Sequence, residues 1–284
     1  MTSRNIRYKN FAQRPPSHGI YGITECDVNQ IAQLSKTHDV LVTMTVPTSF
    51  RVAVLVNSKS SLDPAFNAAF QRSITNARPD AQIELFDPIE AQIYPEPGQF
   101  NLIVLTGGGT ADATAEDVPW VMKMREFLTK TAEENPTQKI VGVCWGHEII
   151  HIAFGGVLGP MDLFEVGVMP VALNDVGSSF FSKWLPSAEK LNIHEFHEME
   201  VKNPGRGFTA LAESNQITVN AANTILTFQG HPEMDAELST LLLNETKQYS
   251  GRDEAEKDAT RKRINSPHDG AAVWKRIMHW TEEL

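Results

Sequence analysis

The sequence is poor in cysteine, in long apolar runs and in clustered positive charge. Only Cys26 and Cys144 occur among its 284 residues, and no stretch approaches the length of a membrane span. The first residues carry no apolar segment of the kind that directs secretion. We therefore expect a protein of the reducing cytoplasm with no membrane partner.

The charge balance is acidic, with 25 Lys and Arg against 35 Asp and Glu and a formal net charge of -10. Binding to a nucleic-acid backbone requires clustered positive charge that displaces counterions. The one compact basic group, at 261–263, is preceded by acidic residues and is typical of a solvated, mixed-charge segment. The sequence therefore predicts no nucleic-acid partner.

From residue 51 onward, short apolar runs alternate with segments of helical spacing. The runs at 51–56, 101–106 and 139–143 are almost wholly apolar, as in strands that are buried on both faces of a parallel sheet. Their alternation with helices predicts an α/β fold, a mostly parallel sheet flanked by helices. Beyond Gly156, short β-like runs joined by turns predict an antiparallel extension of the same sheet.

This pattern divides the chain into three parts. Residues 1–50 form an N-terminal extension with a candidate edge strand at 40–46, and residues 51–250 form the main domain. Residues 251–284 form a C-terminal helical tail, whose terminal helix follows a charged connector over 249–269.

A cysteine lies at the junction of a buried strand and a helix. The segment G-x-C-x-G over 142–146 follows an apolar run that ends at Val143, and a helix-compatible segment begins at Trp145. A tight turn there exposes the sulfur of Cys144 above the helix N-terminus, which favours the thiolate. A buried structural cysteine is the alternative. The context favours a nucleophile.

A second motif supplies a base for this nucleophile. In H-P-E over 231–233, His231 follows a predicted strand, and the proline keeps the chain extended between the histidine and Glu233. A cysteine nucleophile requires an imidazole, and that imidazole requires an orienting acceptor. We therefore predict a catalytic triad of Cys144, His231 and Glu233.

A glycine-rich loop over 107–109 directly follows the apolar run at 101–106. Backbone N–H groups of such a loop approach a substrate closely, so the N–H groups of Gly108 and Trp145 are candidate donors of an oxyanion hole. An ordinary glycine turn or a phosphate loop is the alternative. No lysine follows, as a Walker loop would require.

These segments, in this order, resemble the class I glutamine amidotransferase family. The family carries a glycine-rich loop, then G-x-C-x-G-[HM]-Q, then Gly-Gly, then E-x-G, then a strand with a histidine, and last H-P-E. The corresponding segments of this chain are 107–108, 142–148, 155–156, 165–167, 194–197 and 231–233. The resemblance covers about residues 51 to 245.

The resemblance implies a flavodoxin-like fold and cofactor-independent hydrolysis of a γ-glutamyl amide through a thioester. It also implies that Gly107, Gly109, Glu148 and His197 bind the substrate. Glu148 departs from the family, which usually has glutamine there, so recognition of glutamine is expected to differ. The predicted partners are a γ-glutamyl small molecule and a synthase subunit that accepts ammonia in a biosynthetic pathway.

Three alternatives stay open at this stage. One is a γ-glutamyl peptidase that acts on glutathione-like conjugates, and another is a non-catalytic subunit that binds a partner. The third is a zinc metallopeptidase, because residues 147–151 read H-E-x-x-H, which on a helix pairs two histidines around a general base. No third ligand follows at the spacing of the metzincins, so we expect no metal.

Overall fold

The computed structural model describes residues 49–185, 189–246 and 253–283. The predicted edge strand at 40–46 and Cys26 lie outside these residues. All described residues belong to one compact unit. Within it, no helix is both long and apolar enough to cross a membrane.

The described residues form nine strands and seven α-helices. The strands are β1 (Phe50–Leu55), β2 (Ala81–Phe86), β3 (Leu102–Leu105), β4 (Lys139–Val143), β5 (Val157–Ala172), β6 (Lys190–Asn203), β7 (Phe208–Ala210), β8 (Ile217–Asn220) and β9 (Ile225–Phe228). The helices are α1 (Asp63–Ala77), α2 (Pro119–Glu134), α3 (Trp145–Ala153), α4 (Asp175–Phe181), α5 (Ala236–Glu245), α6 (Glu254–Ile264) and α7 (Gly270–Trp280).

Seven strands form one sheet in the order β2-β1-β3-β4-β9-β8-β7. The first five are parallel, whereas β8 and β7 run antiparallel to their neighbours. The side chains of β3, β4 and β9 are buried throughout, which agrees with their continuous apolar sequences. The predicted flavodoxin-like α/β fold is therefore confirmed.

Helices cover both faces of this sheet. One apolar core includes Phe70 of α1 with Trp274 and Trp280 of α7, and the other includes Met124 of α2 with Ile149 of α3. The terminal helix therefore completes the core of the described unit. The boundaries at residues 50 and 250 stay a prediction.

The predicted antiparallel extension is only partly correct. The strands β7 and β8 do extend the main sheet, but β5 and β6 pair with each other in a separate two-stranded ribbon. The expectation that all these runs join one sheet was therefore wrong. Apolar alternation identifies a strand, but it does not specify which strand is its partner.

The predicted charged connector over 249–269 contains α6. This helix buries only Thr260 and Ile264 along its length, so it has no apolar stripe to detect. Its ends are stabilised by charge and capping instead: the Asp253 carboxylate accepts the N–H of Glu256, and basic residues occupy the last turn. The helix α4, which Asn174 caps through the N–H of Gly177, was also not predicted.

Candidate active site

Cys144 occupies the tight turn between β4 and α3. Its backbone has φ 52° and ψ −111°, a conformation that costs a non-glycine residue of order 1–3 kcal/mol. A Cβ on Gly142 would lie 2.5 Å from the Gly146 carbonyl oxygen, and one on Gly146 would lie 2.5 Å from that of Leu105. Glycine at both positions therefore allows the close packing that holds the cysteine in this turn.

His231 and Glu233 are next to this turn. The Nδ1 atom of His231 lies 2.8 Å from Oε1 of Glu233, and both side chains are buried. The N–H of His231 donates to the His194 carbonyl at 2.7 Å, which ties the histidine to β6. A Cβ on Gly107 would lie 3.0 Å from Cε1 of His231 and 3.8 Å from Sγ of Cys144, so the structure brings these groups together.

The electrostatic environment of His231 favours its protonated form. Burial by itself lowers the pKa of this imidazole, but the charges of Glu233 and Cys144 and hydrogen bonds to both raise it well above its usual range. His231 is therefore well suited to hold a proton between a thiolate and a carboxylate.

Asn57 anchors the glycine-rich loop and was not identified from the sequence. Its N–H donates to the Thr106 hydroxyl at 2.9 Å, and its side-chain amide donates to the Thr106 carbonyl at 3.0 Å. Gly108 lies so close to this residue that a Cβ would be 1.9 Å from the Asn57 carbonyl oxygen. No sequence motif identifies Asn57, because it acts through hydrogen bonds to Thr106, which directly follows the neighbouring strand β3.

A cavity of about 320 Å³ opens beside Cys144 and His231. The three glycines 107–109 line it, together with residues from the loop after β1 and from α1, β6 and α5. The side chain of Trp145 lies elsewhere: its ring centroid is 4.9 Å from that of Trp120, and its indole N–H donates to the Ala111 carbonyl. Only the backbone N–H of Trp145 is thus available to the predicted oxyanion hole.

His197 is buried between two carboxylates and does not line this cavity. Its Nε2 atom lies 3.1 Å from Glu195 and 3.2 Å from Glu165, and its Nδ1 atom lies 2.9 Å from the Met199 carbonyl oxygen. Burial lowers the pKa of His197, but its contacts with the two carboxylates raise it to about 10. The expectation that His197 touches the substrate is thus not supported; the side chain instead lies between two carboxylates, which favour its protonated form.

Glu148 also does not line the cavity. Its carboxylate accepts a hydrogen bond from the Gln229 amide at 3.1 Å, within the segment that leads to His231. Burial raises the pKa of Glu148 to about 7, although the bond from Gln229 lowers it. The expected direct contact with substrate is therefore not supported, and the carboxyl group instead accepts a bond from the side chain of Gln229, two residues before His231.

The contacts of the H-E-x-x-H side chains argue against the zinc alternative. Both ring nitrogens of His151 are engaged, one with the Gly205 N–H at 3.0 Å and one with the Thr218 hydroxyl at 3.1 Å. His147 bonds the Thr227 hydroxyl, and Glu148 turns towards Gln229. Burial lowers the pKa of both histidines, which fits neutral rings in a hydrogen-bonded core.

Sequence comparisons identify relatives along most of the chain. The model of the class-I glutamine amidotransferase family matches residues 65–245. The chain is 32% identical over 240 residues to the glutamine amidotransferase-like protein chyE of Penicillium rubens, which covers 83% of this chain and 98% of that protein. It is 37% identical over 238 residues to the glutamine amidotransferase-like protein chry6 of Gibberella zeae, which covers 82% and 95%.

Solved structures share the fold. A glutamine amidotransferase from Thermotoga maritima aligns over 82% of this chain and 96% of its own, with a TM-score of 0.61. At 17% sequence identity this similarity concerns the fold alone.

The buried charges around His197 predict a pH-dependent contribution to stability. The folded state holds this proton more tightly than the unfolded state, so the contribution is present below about pH 6.5 and is lost as pH rises through about 10. The substitution His197→Gln leaves Glu195 buried without a cation, and we expect it to lower the free energy of unfolding by about 3–5 kcal/mol at neutral pH.

Urea denaturation between neutral pH and about pH 10 measures this effect. The difference between wild type and His197→Gln should shrink as pH rises, whereas the exposed control His279→Gln should follow the wild type. A difference that stays constant across this range would show that His197 is not the titrating group.

Proposed function

The chain belongs to the class I glutamine amidotransferase family, and on that premise we propose that it hydrolyses a γ-glutamyl amide through a thioester on Cys144. The observation that carries this proposal is the convergence of Cys144, His231 and Glu233 at the edge of one cavity. Gly107 packs against both the sulfur and the imidazole, and the imidazole lies 2.8 Å from its carboxylate.

The first half of the reaction forms the acyl-enzyme. The thiolate of Cys144 attacks the γ-carbonyl carbon of the substrate, and the carbon–nitrogen bond breaks as the carbon–sulfur bond is made. His231 gives its proton to the leaving nitrogen, and Glu233 holds the ring through Nδ1 so that Nε2 performs this transfer. The raised pKa of His231 supports a resting imidazolium that can give this proton.

The second half releases glutamate. A water molecule attacks the thioester carbon and gives a proton to His231, and the carbon–sulfur bond breaks to restore the thiolate. In both halves the negative oxygen is stabilised by the N–H groups of Gly108 and Trp145. The position of Trp145 as the first residue of α3 supports this role, because N–H groups of a first helical turn have no partner within the helix.

Glu148 is expected to affect which γ-glutamyl compound the protein recognises as its substrate. The family usually has glutamine at this position. Here burial raises the pKa of the carboxyl group to about 7, and the group accepts a hydrogen bond from Gln229 and does not line the cavity. Its influence on the substrate is therefore indirect, through the side chain of Gln229, two residues before His231. The ammonia or amine that is released passes to a synthase subunit or to solvent.

Removal of the sulfur nucleophile tests the proposed reaction. We expect Cys144→Ser to lower release of glutamate from γ-glutamyl amides by about 10⁴-fold or more, because a hydroxyl is a far weaker nucleophile than a thiolate. Glutamate is measured with purified wild type and variant after their folded states have been compared by circular dichroism. Full activity in the variant would refute the mechanism, and an inactive wild type would favour a partner-binding subunit.

The glycine loop offers a second test with a matched pair of variants. A methyl group at position 108 would lie 1.9 Å from the Asn57 carbonyl oxygen, so Gly108→Ala must displace the loop and its N–H. We expect a loss of about 10²–10³ in kcat, as for removal of one oxyanion donor. Gly109→Ala, whose methyl group would meet nothing within 4 Å, should cost much less. Equal losses in the two variants would argue against the assignment of Gly108.

A further inference from the structure

The cavity beside Cys144 has a wall of large apolar side chains from three different elements. Phe66 of α1, Phe196 of β6 and Leu242 of α5 all line it. Each is only partly buried, although each packs against an apolar cluster. Apolar side chains left open at a concave site offer surface that a ligand can cover.

This apolar wall lies on the side of the cavity that contains the imidazole. The ring centroids of Phe66 and His231 are 6.5 Å apart, with the rings inclined at 49°. Leu242 lies on α5, which begins at Ala236, three residues after Glu233. An imidazole that protonates a leaving nitrogen must lie beside that nitrogen. Phe66 therefore lies beside the departing amine, and Phe196 and Leu242 line the same cavity.

Ammonia has no carbon for such a wall to contact. If glutamine itself were the preferred substrate, Phe66, Phe196 and Leu242 would contribute nothing to binding of the leaving group. A nitrogen that carries an aryl or alkyl group would instead bury that group against them, and the cavity of about 320 Å³ lies within the range of small-molecule sites.

Polar groups also line the cavity. Lys59 and Asp63 contribute charges of both signs, and Lys59 is already paired with Asp87 and Glu90. A γ-glutamyl group carries an α-ammonium and an α-carboxylate, which require such polar surroundings. The lining thus offers both the polar and the apolar contacts that a substituted amide requires.

We propose that the preferred substrate is a γ-glutamyl amide whose nitrogen bears an apolar aryl or alkyl substituent, and that Phe66, Phe196 and Leu242 bind this substituent. This inference rests on the proposed function. The bonds that change are those of the mechanism above: the carbon–nitrogen bond breaks, the nitrogen takes the proton of His231, and the substituted amine leaves in place of ammonia.

The test compares kcat/KM for γ-L-glutamyl-p-nitroanilide and for L-glutamine in the full chain. The wild type should prefer the anilide. Phe66→Ala and Leu242→Ala should each lower the ratio of the two values by about tenfold or more, the usual effect of apolar contacts on specificity. Leu241→Ala is the matched control, because Leu241 is 41% exposed on the same helix and does not line the cavity.

The outcomes separate this inference from the function on which it rests. Glutamine cleavage that exceeds anilide cleavage in the wild type, or equal losses for both substrates in the variants, overturns the assigned substrate class and leaves the γ-glutamyl hydrolase intact. Failure to cleave either substrate, with Cys144 unlabelled by a diazo-ketone analogue of glutamine, overturns the hydrolase and this inference together.

Discussion

Close packing between the N-terminus of α3 and the ends of the central strands is the constraint on which the site depends. Gly146 lies against the carbonyl of Leu105, and Gly142 lies against Gly146, with no room for a Cβ at either glycine. This contact forces Cys144 into a positive φ and turns its side chain towards His231. The cost of the strained residue is met by the buried sheet beneath it. Positioning of the sulfur is thus a property of the core and not of a mobile loop.

A set of buried charges surrounds this rigid turn. Glu233 holds the imidazole of His231, while Glu195 and Glu165 hold that of His197. A Cβ at position 230 would lie 2.3 Å from the Glu195 carboxylate, so the backbone next to His231 packs directly on the second cluster. The neighbouring carboxylates favour the protonated form of each imidazole. The two clusters are therefore linked through the strand β6 and the segment that carries the base.

The sequence was informative where one local pattern determines the structure. Continuous apolar runs identified the central strands, and the glycine spacing around Cys144 identified the turn, since both follow from close packing. Asn57 was missed because it acts through backbone hydrogen bonds that no spacing reveals. The structural role of Glu195 was missed because a charged residue in a strand normally faces water. Here Glu195 is buried, and His197 lies 3.1 Å from its carboxylate. The helix α6 was missed because it lacks an apolar stripe.

The central claim is that Cys144 is the one sulfur activated to attack a γ-glutamyl carbonyl. The most direct measurement is peptide mapping by mass spectrometry after brief treatment with a diazo-ketone analogue of glutamine. We predict a covalent adduct on Cys144, none on Cys26, and strongly slowed labelling in His231→Ala. A label on another residue, or equal labelling of both cysteines, would contradict the account.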